Sequence, residues 1–130
     1  MNDYNKYTCE IFYKDLVKTD LLRKAIYEND IEKAKEEVNK LIEAGDNIDI
    51  CNENGVTALM KASHYGHIEI VKLLIDKGAD VNYTDVDGEA SLEYADSEKH
   101  LKVFKLLIKH GAKKNKKWIY NYLYQKNKGK

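Results

Sequence analysis

Apolar residues recur along this chain at one fixed separation. Leu59 is followed 33 positions later by Leu92, and Ala62 by Ala95. A period of this length is typical of supersecondary units that stack on one another, so we expect function at a shared surface and not in a catalytic cleft. The other positions that obey the same offset are Ile68/Leu101, Leu74/Leu107, His67/His100, Gly78/Gly111 and Ala79/Ala112.

A further copy of the pattern precedes these two and contains four additional residues. Ala25 lies 37 positions before Ala62, whereas Gly45 lies 33 positions before Gly78. Four residues correspond to about one helical turn, so the apolar face is nearly preserved. We therefore predict that the second helix of the first unit is one turn longer than its counterparts. Its apolar stripe consists of Ile31, Ala34, Val38, Leu41 and Ile42.

Capping residues indicate where the helices begin. Each unit is predicted to start its first helix near Asp20, Thr57 or Ser91, and both Asp and Thr are good N-caps. The chain contains no proline, the residue otherwise well suited to the first helical position. We expect this absence to cost a little stability and to leave the fold intact.

The turn between the paired helices of each unit requires a residue that tolerates a positive φ angle. Gly66 does so freely in the second unit and Asn29 tolerably in the first. Lys99 occupies this position in the third unit, where the left-handed conformation costs a non-glycine residue about 1 kcal/mol. We therefore predict that the third turn is strained and distorted or more mobile than the second.

The second unit carries a specific family resemblance. Residues 57–62, with the sequence T-A-L-M-K-A, resemble the T-P-L-H-x-A motif of the ankyrin repeat. The sequences G-H-I-E-I-V at 66–71 and G-A-D-V-N at 78–82 match the second helix of that family and its exit. The first and third units match less closely, and the resemblance covers about residues 20–115.

This resemblance implies an all-α fold, an ankyrin-repeat solenoid of about three helix-turn-helix units with short finger turns and helical terminal caps. The fingers are residues 48–55 and 81–88. Residues 1–18 form an N-terminal segment for which we expect a capping helix, and residues 116–130 form a basic, aromatic C-terminal cap or tail. The repeats occupy residues 19–115, divided at about 19–52, 53–85 and 86–115.

Composition limits the compartment and the membrane topology. No run of about 18 apolar residues occurs, so no membrane span is expected. The first 20 residues lack the apolar stretch of a signal peptide. Cys9 and Cys51 are the two cysteines, and their spacing does not match a metal site. We therefore expect a reduced, cytoplasmic chain.

The sequence contains no motif that indicates catalysis. His64 and His67 lie three residues apart without further nearby ligands, whereas zinc requires three or four that converge. His67 and His100 are expected to be structural. No phosphate-binding glycine loop or nucleophile motif occurs. We predict no enzyme activity, no metal, no cofactor and no small-molecule substrate.

The resemblance instead implies a protein partner held by the finger tips and the first helices, which line a concave face. The expected partner-binding residues include several acids, no Lys or Arg, and two tyrosines of the kind that anchor interfaces. A basic partner is therefore predicted, and a small antidote that neutralises a toxin or enzyme is one version of this hypothesis. The alternative is that these residues only keep a solvated face soluble. They are Tyr27, Glu28, Glu53, Asn54, Val56, His64, Tyr65, Val86, Asp87, Glu89, Ser97 and Glu98.

Formal charge is strongly segregated although the chain is neutral as a whole. All 22 acids lie at or before Glu98, where 11 bases accompany them, and the 32 residues that follow contain 11 bases and no acid. Four lysines at 113, 114, 116 and 117 precede four aromatic residues, and three lysines at 126, 128 and 130 follow them. This pattern suits nucleic acid, through phosphate contacts and base stacking. An anionic membrane surface is another candidate partner for this tail. The third alternative is a capping helix with solvated lysines.

Overall fold

The computed structural model describes the backbone of residues 13–114, 124 and 126–128, and the side chains from residue 19 onward within those ranges. Up to residue 114 the chain forms helices joined by turns, with one isolated antiparallel bridge between Cys51 and Thr57. Residues 124 and 126–128 are also helical. The helices are α1 (Tyr13–Tyr27), α2 (Ile31–Glu43), α3 (Ala58–Tyr65), α4 (Ile68–Asp76), α5 (Ser91–Ser97) and α6 (Leu101–Lys109).

The helices pair within each repeat and stack between repeats. The first helices α1, α3 and α5 pack in one row, and the second helices α2, α4 and α6 pack less closely in another. Closer packing of the first helices is the arrangement expected of a solenoid whose first helices line the concave side. The core is continuous because each repeat buries apolar residues at equivalent positions: Leu22, Ala25 and Leu41, then Leu59, Ala62 and Leu74, then Leu92, Ala95 and Leu107.

The additional helical turn of the first repeat is confirmed. Helix α2 has 13 residues, whereas α4 and α6 have 9 each. Its buried side includes Ala34, Val38 and Leu41, as the stripe predicts. Ile42 is exposed, so the prediction that it belongs to this stripe is wrong. The four extra residues therefore lengthen the helix, and Ile42 does not join its buried face.

The predicted helix starts agree with the structure in the second repeat and differ in the other two. Thr57 caps α3, because its hydroxyl oxygen accepts a hydrogen bond from the Met60 backbone N–H at 3.3 Å. Helix α1 begins at Tyr13, so Asp20 lies inside it and is not its cap. Ser91 is the first residue of α5, and Ala90 takes the capping position. The predictions for residues 1–12 lie outside the described residues.

The turns between paired helices share one backbone geometry. Asn29, Gly66 and Lys99 have φ angles of 54°, 72° and 61°. The predicted strain at Lys99 is thus confirmed, since a lysine adopts the left-handed conformation. The turn is not distorted, because the hydrogen bond from the His100 N–H to the Ala95 carbonyl, at 2.9 Å, matches its counterparts in the other repeats.

Cys51 is disulfide-bonded, so the prediction of a reduced thiol at this position is wrong. Its side chain is buried, and its sulfur lies 3.7 Å from the Tyr83 hydroxyl oxygen. The other cysteine of the chain, Cys9, lies outside the described residues. Disulfides form and persist in oxidising compartments, so the cysteines no longer support the expectation of a cytoplasmic location. In the described part of the chain, no helix is long and apolar enough to span a membrane.

Candidate functional site

The two finger turns are built on the same hydrogen-bond pattern. We name them after the repeats that they precede: residues 48–55 are the second finger and residues 81–88 are the third finger. In the second repeat, the Asn52 side-chain oxygen accepts hydrogen bonds from the N–H groups of Asn54 and Val56, at 2.9 and 3.0 Å. In the third repeat, an oxygen of Asp85 accepts from the N–H groups of Asp87 and Glu89, both at 2.9 Å. Asn52 and Asp85 are one period apart, so a single loop design carries an amide in one repeat and a carboxylate in the next.

The fingers also contact each other. The Val86 N–H donates to the Asn54 carbonyl at 3.0 Å. Gly55 makes this approach feasible, because a Cβ atom there would lie 3.0 Å from the Asp85 Cα. The predicted residues Glu53, Asn54, Val86 and Asp87 are exposed along these joined fingers.

Val56 belonged to the predicted partner-binding set, and the structure does not support that role. Its side chain is only 9% exposed. The Val56 backbone N–H donates a hydrogen bond to the Asn52 side chain at 3.0 Å, which fixes the backbone of Val56 against the finger. Val56 is therefore a packing residue of the second finger.

Aromatic rings join the three repeats at the ends of their first helices. Tyr27 meets Tyr65 edge to face with 5.6 Å between ring centroids, and Tyr65 meets His64 at 5.1 Å. His64 in turn meets Tyr94 at 6.3 Å. We call Tyr27, Tyr65, His64 and Tyr94 the aromatic ladder. Tyr27 is 70% exposed, so the ladder presents one ring almost fully to solvent.

A concave cavity of about 370 Å³ lies between the third finger and the first helices. We call it the acidic pocket. Four predicted site residues line it, and a fifth, Glu98, places a carboxylate oxygen 3.7 Å from His64 Nδ1. Glu28, at the first-repeat end of the face, is exposed. The pocket is lined by His64, Asp85, Asp87, Glu89, Glu93, Tyr94 and Ser97.

Burial controls the ionisation of the groups at the base of the acidic pocket. Asp85 is 4% exposed and accepts a hydrogen bond from the Tyr94 hydroxyl in addition to its two backbone donors. Burial, followed by this hydrogen bond to Asp85, raises the pKa of Tyr94 well above its usual range. Tyr94 is therefore a neutral donor that holds the carboxylate in place.

Glu93 occupies a less satisfied position. One of its oxygens accepts from the Ala90 N–H at 2.8 Å, and this bond caps α5. The other oxygen is buried, and the described residues offer it no hydrogen-bond partner. Burial raises the pKa of Glu93, and the charges of Glu89, Asp96 and Asp85 raise it further. The pocket thus contains a carboxyl group whose ionised form is poorly stabilised by the residues around it.

A larger cavity, of about 660 Å³, lies at the C-terminal flank of the third repeat. It is lined in part by Phe104 and Lys114, and the Lys114 ammonium lies 5.8 Å from the Phe104 ring centroid. The chain continues from Lys114 into residues outside the described ones. The predicted cap or tail at 116–130 lies there too, apart from residues 124 and 126–128, and its binding role stays a prediction.

Comparison with protein families agrees with the stack of three units. A family model described as ankyrin repeats, in three copies, matches residues 22–117. The chain belongs to the ankyrin repeat family. Ankyrin repeats are non-catalytic modules that mediate protein–protein interaction. Within the described residues, no three His, Cys, Asp or Glu side chains are grouped so that they could hold a metal ion.

Among solved structures, the ankyrin repeats are similar to a chain in the Bd0816 predatory endopeptidase from Bdellovibrio bacteriovorus in complex with immunity protein Bd3460. The TM-score is 0.64 at 30% sequence identity, over 72% of the present chain. The match spans 47% of the other chain, about half its length. No curated protein matches the chain.

Three residues of the acidic pocket were missed from the sequence: Asp85, Glu93 and Tyr94. The repeat period offered a signal for them. Their equivalents one period earlier are Asn52, Met60 and Lys61, none of them acidic or aromatic. Acidic and aromatic side chains therefore replace these three in the third repeat.

Proposed function

We propose that this ankyrin repeat chain binds a protein partner through its concave face. The observation that carries the proposal is the position of the acidic pocket and the aromatic ladder, which lie side by side on the fingers and first helices. Ordered aromatic rings give large contact area at low entropic cost, and such residues dominate binding energy in interfaces. The ladder is ordered by ring contacts within the chain, so little freedom is lost on binding.

Charge on this face supports a basic partner. Apart from Val56, the predicted partner-binding residues include Glu28, Glu53, Asp87, Glu89 and Glu98, and no Lys or Arg. Asp85 and Glu93 add two carboxylates in the acidic pocket. A concave surface of one sign attracts an oppositely charged partner at long range, so association is expected to be fast and to weaken as salt is added.

We further propose that the partner is an enzyme that the chain keeps inactive. The support is the similar solved structure, which is of an endopeptidase in complex with an immunity protein. A non-catalytic module that covers another protein's surface needs only affinity to act in this way. Tight protease–inhibitor complexes bury about 800 Å² per partner, and we expect an interface of no more than this size for three repeats.

Affinity capture from a lysate of the source cell tests the proposed face. The test variant reverses three charges, Glu53→Lys, Asp87→Lys and Glu89→Lys. The matched control reverses two exposed acids of α4 on the other row of helices, Glu69→Lys and Asp76→Lys. We expect one protein to be recovered with the wild-type chain and the control, to survive nuclease, to be released by salt, and to be lost with the test variant.

A third variant separates this function from nucleic-acid binding by the basic tail. Lys113→Gln and Lys114→Gln neutralise two exposed lysines at the start of that segment. Retention of the partner by this variant agrees with the proposed face. Capture that depends on Lys113 and Lys114, vanishes with nuclease and ignores the three charge reversals would overturn the proposal and favour a nucleic-acid adaptor.

A further inference from the structure

The acidic pocket and the aromatic ladder are two parts of one groove, because His64 belongs to both. Its ring meets Tyr65 on one side and Tyr94 on the other, and it also lines the pocket. We propose that this groove takes an extended, basic segment of the partner and holds one arginine side chain in the pocket. The inference rests on the proposed function and adds the chemistry that is recognised.

The distribution of hydrogen bonds in the pocket leaves a cation site open. Asp85 is occupied by two backbone donors and by the Tyr94 hydroxyl. Asp87 and Glu89 line the pocket above it, and the second oxygen of Glu93 is buried without a hydrogen-bond partner in the described part of the chain. Of the described residues that line the pocket, none is Lys or Arg. A cation in the pocket would therefore interact favourably with the carboxylates that line it.

The size of the pocket and its walls favour arginine over lysine. A volume of about 370 Å³ is at the small end of ligand sites and suits one long side chain. Its walls combine carboxylates with the rings of His64 and Tyr94. A planar guanidinium donates to carboxylates in a fork and stacks on aromatic rings, whereas an ammonium is a compact, strongly hydrated charge.

The rest of the ladder determines where neighbouring residues of the partner lie. From His64, the rings of Tyr65 and Tyr27 lead away from the pocket across the second and first repeats. Tyr65 also stacks on His67, with 5.7 Å between ring centroids, and this contact restricts the Tyr65 ring further. An extended segment with its arginine in the pocket would place apolar side chains on these two tyrosines.

NMR titration with small probes tests the arginine site without the partner. The probe is N-acetyl-arginine amide, and its neutral isostere N-acetyl-citrulline amide is the control ligand. We expect the arginine probe to shift the backbone amides of residues 85–89, 93–97 and His64, and N-acetyl-lysine amide to bind more weakly. The double variant Asp87→Asn/Glu89→Gln should weaken the arginine probe about fivefold. The matched variant Glu69→Gln/Asp76→Asn should leave its affinity unchanged.

The outcomes separate this inference from the proposed function. Equal binding of arginine and citrulline probes, or no local shift with arginine at millimolar concentration, would overturn the arginine site. If capture of the partner still depended on Glu53, Asp87 and Glu89, the proposed function would stand without it. Failure of the capture test combined with arginine binding would leave a cation site whose partner is not held by the fingers.

Discussion

The second and third fingers have the same backbone and different chemistry. Asn52 and Asp85 organise the two loops through equivalent pairs of backbone hydrogen bonds. The cap of the following helix is equivalent as well, since the Thr57 N–H contacts the Met60 sulfur at 3.4 Å and the Ala90 N–H donates to Glu93 at 2.8 Å. The repeat thus fixes the fold at these positions, and the choice of side chain in the third repeat supplies the charge.

The largest expected effect is on binding, where the two fingers should differ most. Asp87→Lys together with Glu89→Lys should lower the affinity for the captured partner by more than about tenfold, because both side chains line the acidic pocket. Glu53→Lys, on the second finger, should have a smaller effect. Titration calorimetry with the purified partner measures both. A larger loss from Glu53→Lys would mean that the second finger dominates recognition.

Stability should distinguish the residues that organise the two fingers. Asp85→Ala leaves two backbone N–H groups and the Tyr94 hydroxyl without their acceptor, and we expect it to lower the free energy of unfolding by about 2–4 kcal/mol. Asn52→Ala removes an acceptor for two N–H groups and should cost about 1–2 kcal/mol. Urea unfolding followed by circular dichroism gives both values. Equal costs would show that the Tyr94 hydrogen bond contributes nothing.

The helix-connecting turns of the same two repeats give a smaller, opposite pair of effects. Lys99→Gly should stabilise the chain by about 0.5–1 kcal/mol, because it removes the strain of a lysine in the left-handed conformation. The gain is partly offset because glycine has more conformational freedom in the unfolded chain. Gly66→Ala should destabilise it by about 1–3 kcal/mol, since the new Cβ would also lie 2.4 Å from a ring nitrogen of His100.

Thermal unfolding measures these two turn variants side by side. An unchanged midpoint for Lys99→Gly would contradict the strain assigned to the third turn. A stabilised Gly66→Ala chain would contradict the close packing of His100 against the second turn.

The smallest effect is a pH dependence of stability in the third repeat. The raised pKa of Glu93 means that the folded chain keeps a proton that the unfolded chain releases. Stability should therefore fall as pH rises through the ordinary carboxyl range toward the raised pKa. Glu93→Gln keeps an acceptor for Ala90 and should remove this slope. Urea unfolding of both chains between pH 4 and 7 checks it, and parallel pH profiles would contradict the prediction.

The repeat period predicted the parts of the fold that depend on local sequence. The longer α2 and the left-handed conformation of Lys99 follow from counting residues between equivalent positions. The contact of Asp85 with Tyr94 could not be predicted in this way, because it joins a finger to the following helix through a side chain that the second repeat lacks. The start of α1 was missed because Asp20 is compatible with a helix interior as well as with a cap.

The disulfide at Cys51 was missed for a different physical reason. The chain's two cysteines have 41 residues between them and carry no local pattern, so the state of Cys51 could not be predicted from their spacing. The burial of Val56 was also outside the reach of the resemblance, because the resemblance places a residue beside the finger without fixing how deeply its side chain is buried.

The most direct test of the central claim is to give the third finger the chemistry of the second. Asp87→Asn, Glu89→Val and Glu93→Met install the residues that Asn54, Val56 and Met60 provide one period earlier. The affinity of this chain for the protein captured by the wild type is the measurement, with circular dichroism to confirm that the helices are retained. We expect a folded chain whose affinity is lower by about tenfold or more. A folded chain that binds its partner as tightly as the wild type would contradict the assignment of recognition to the third repeat.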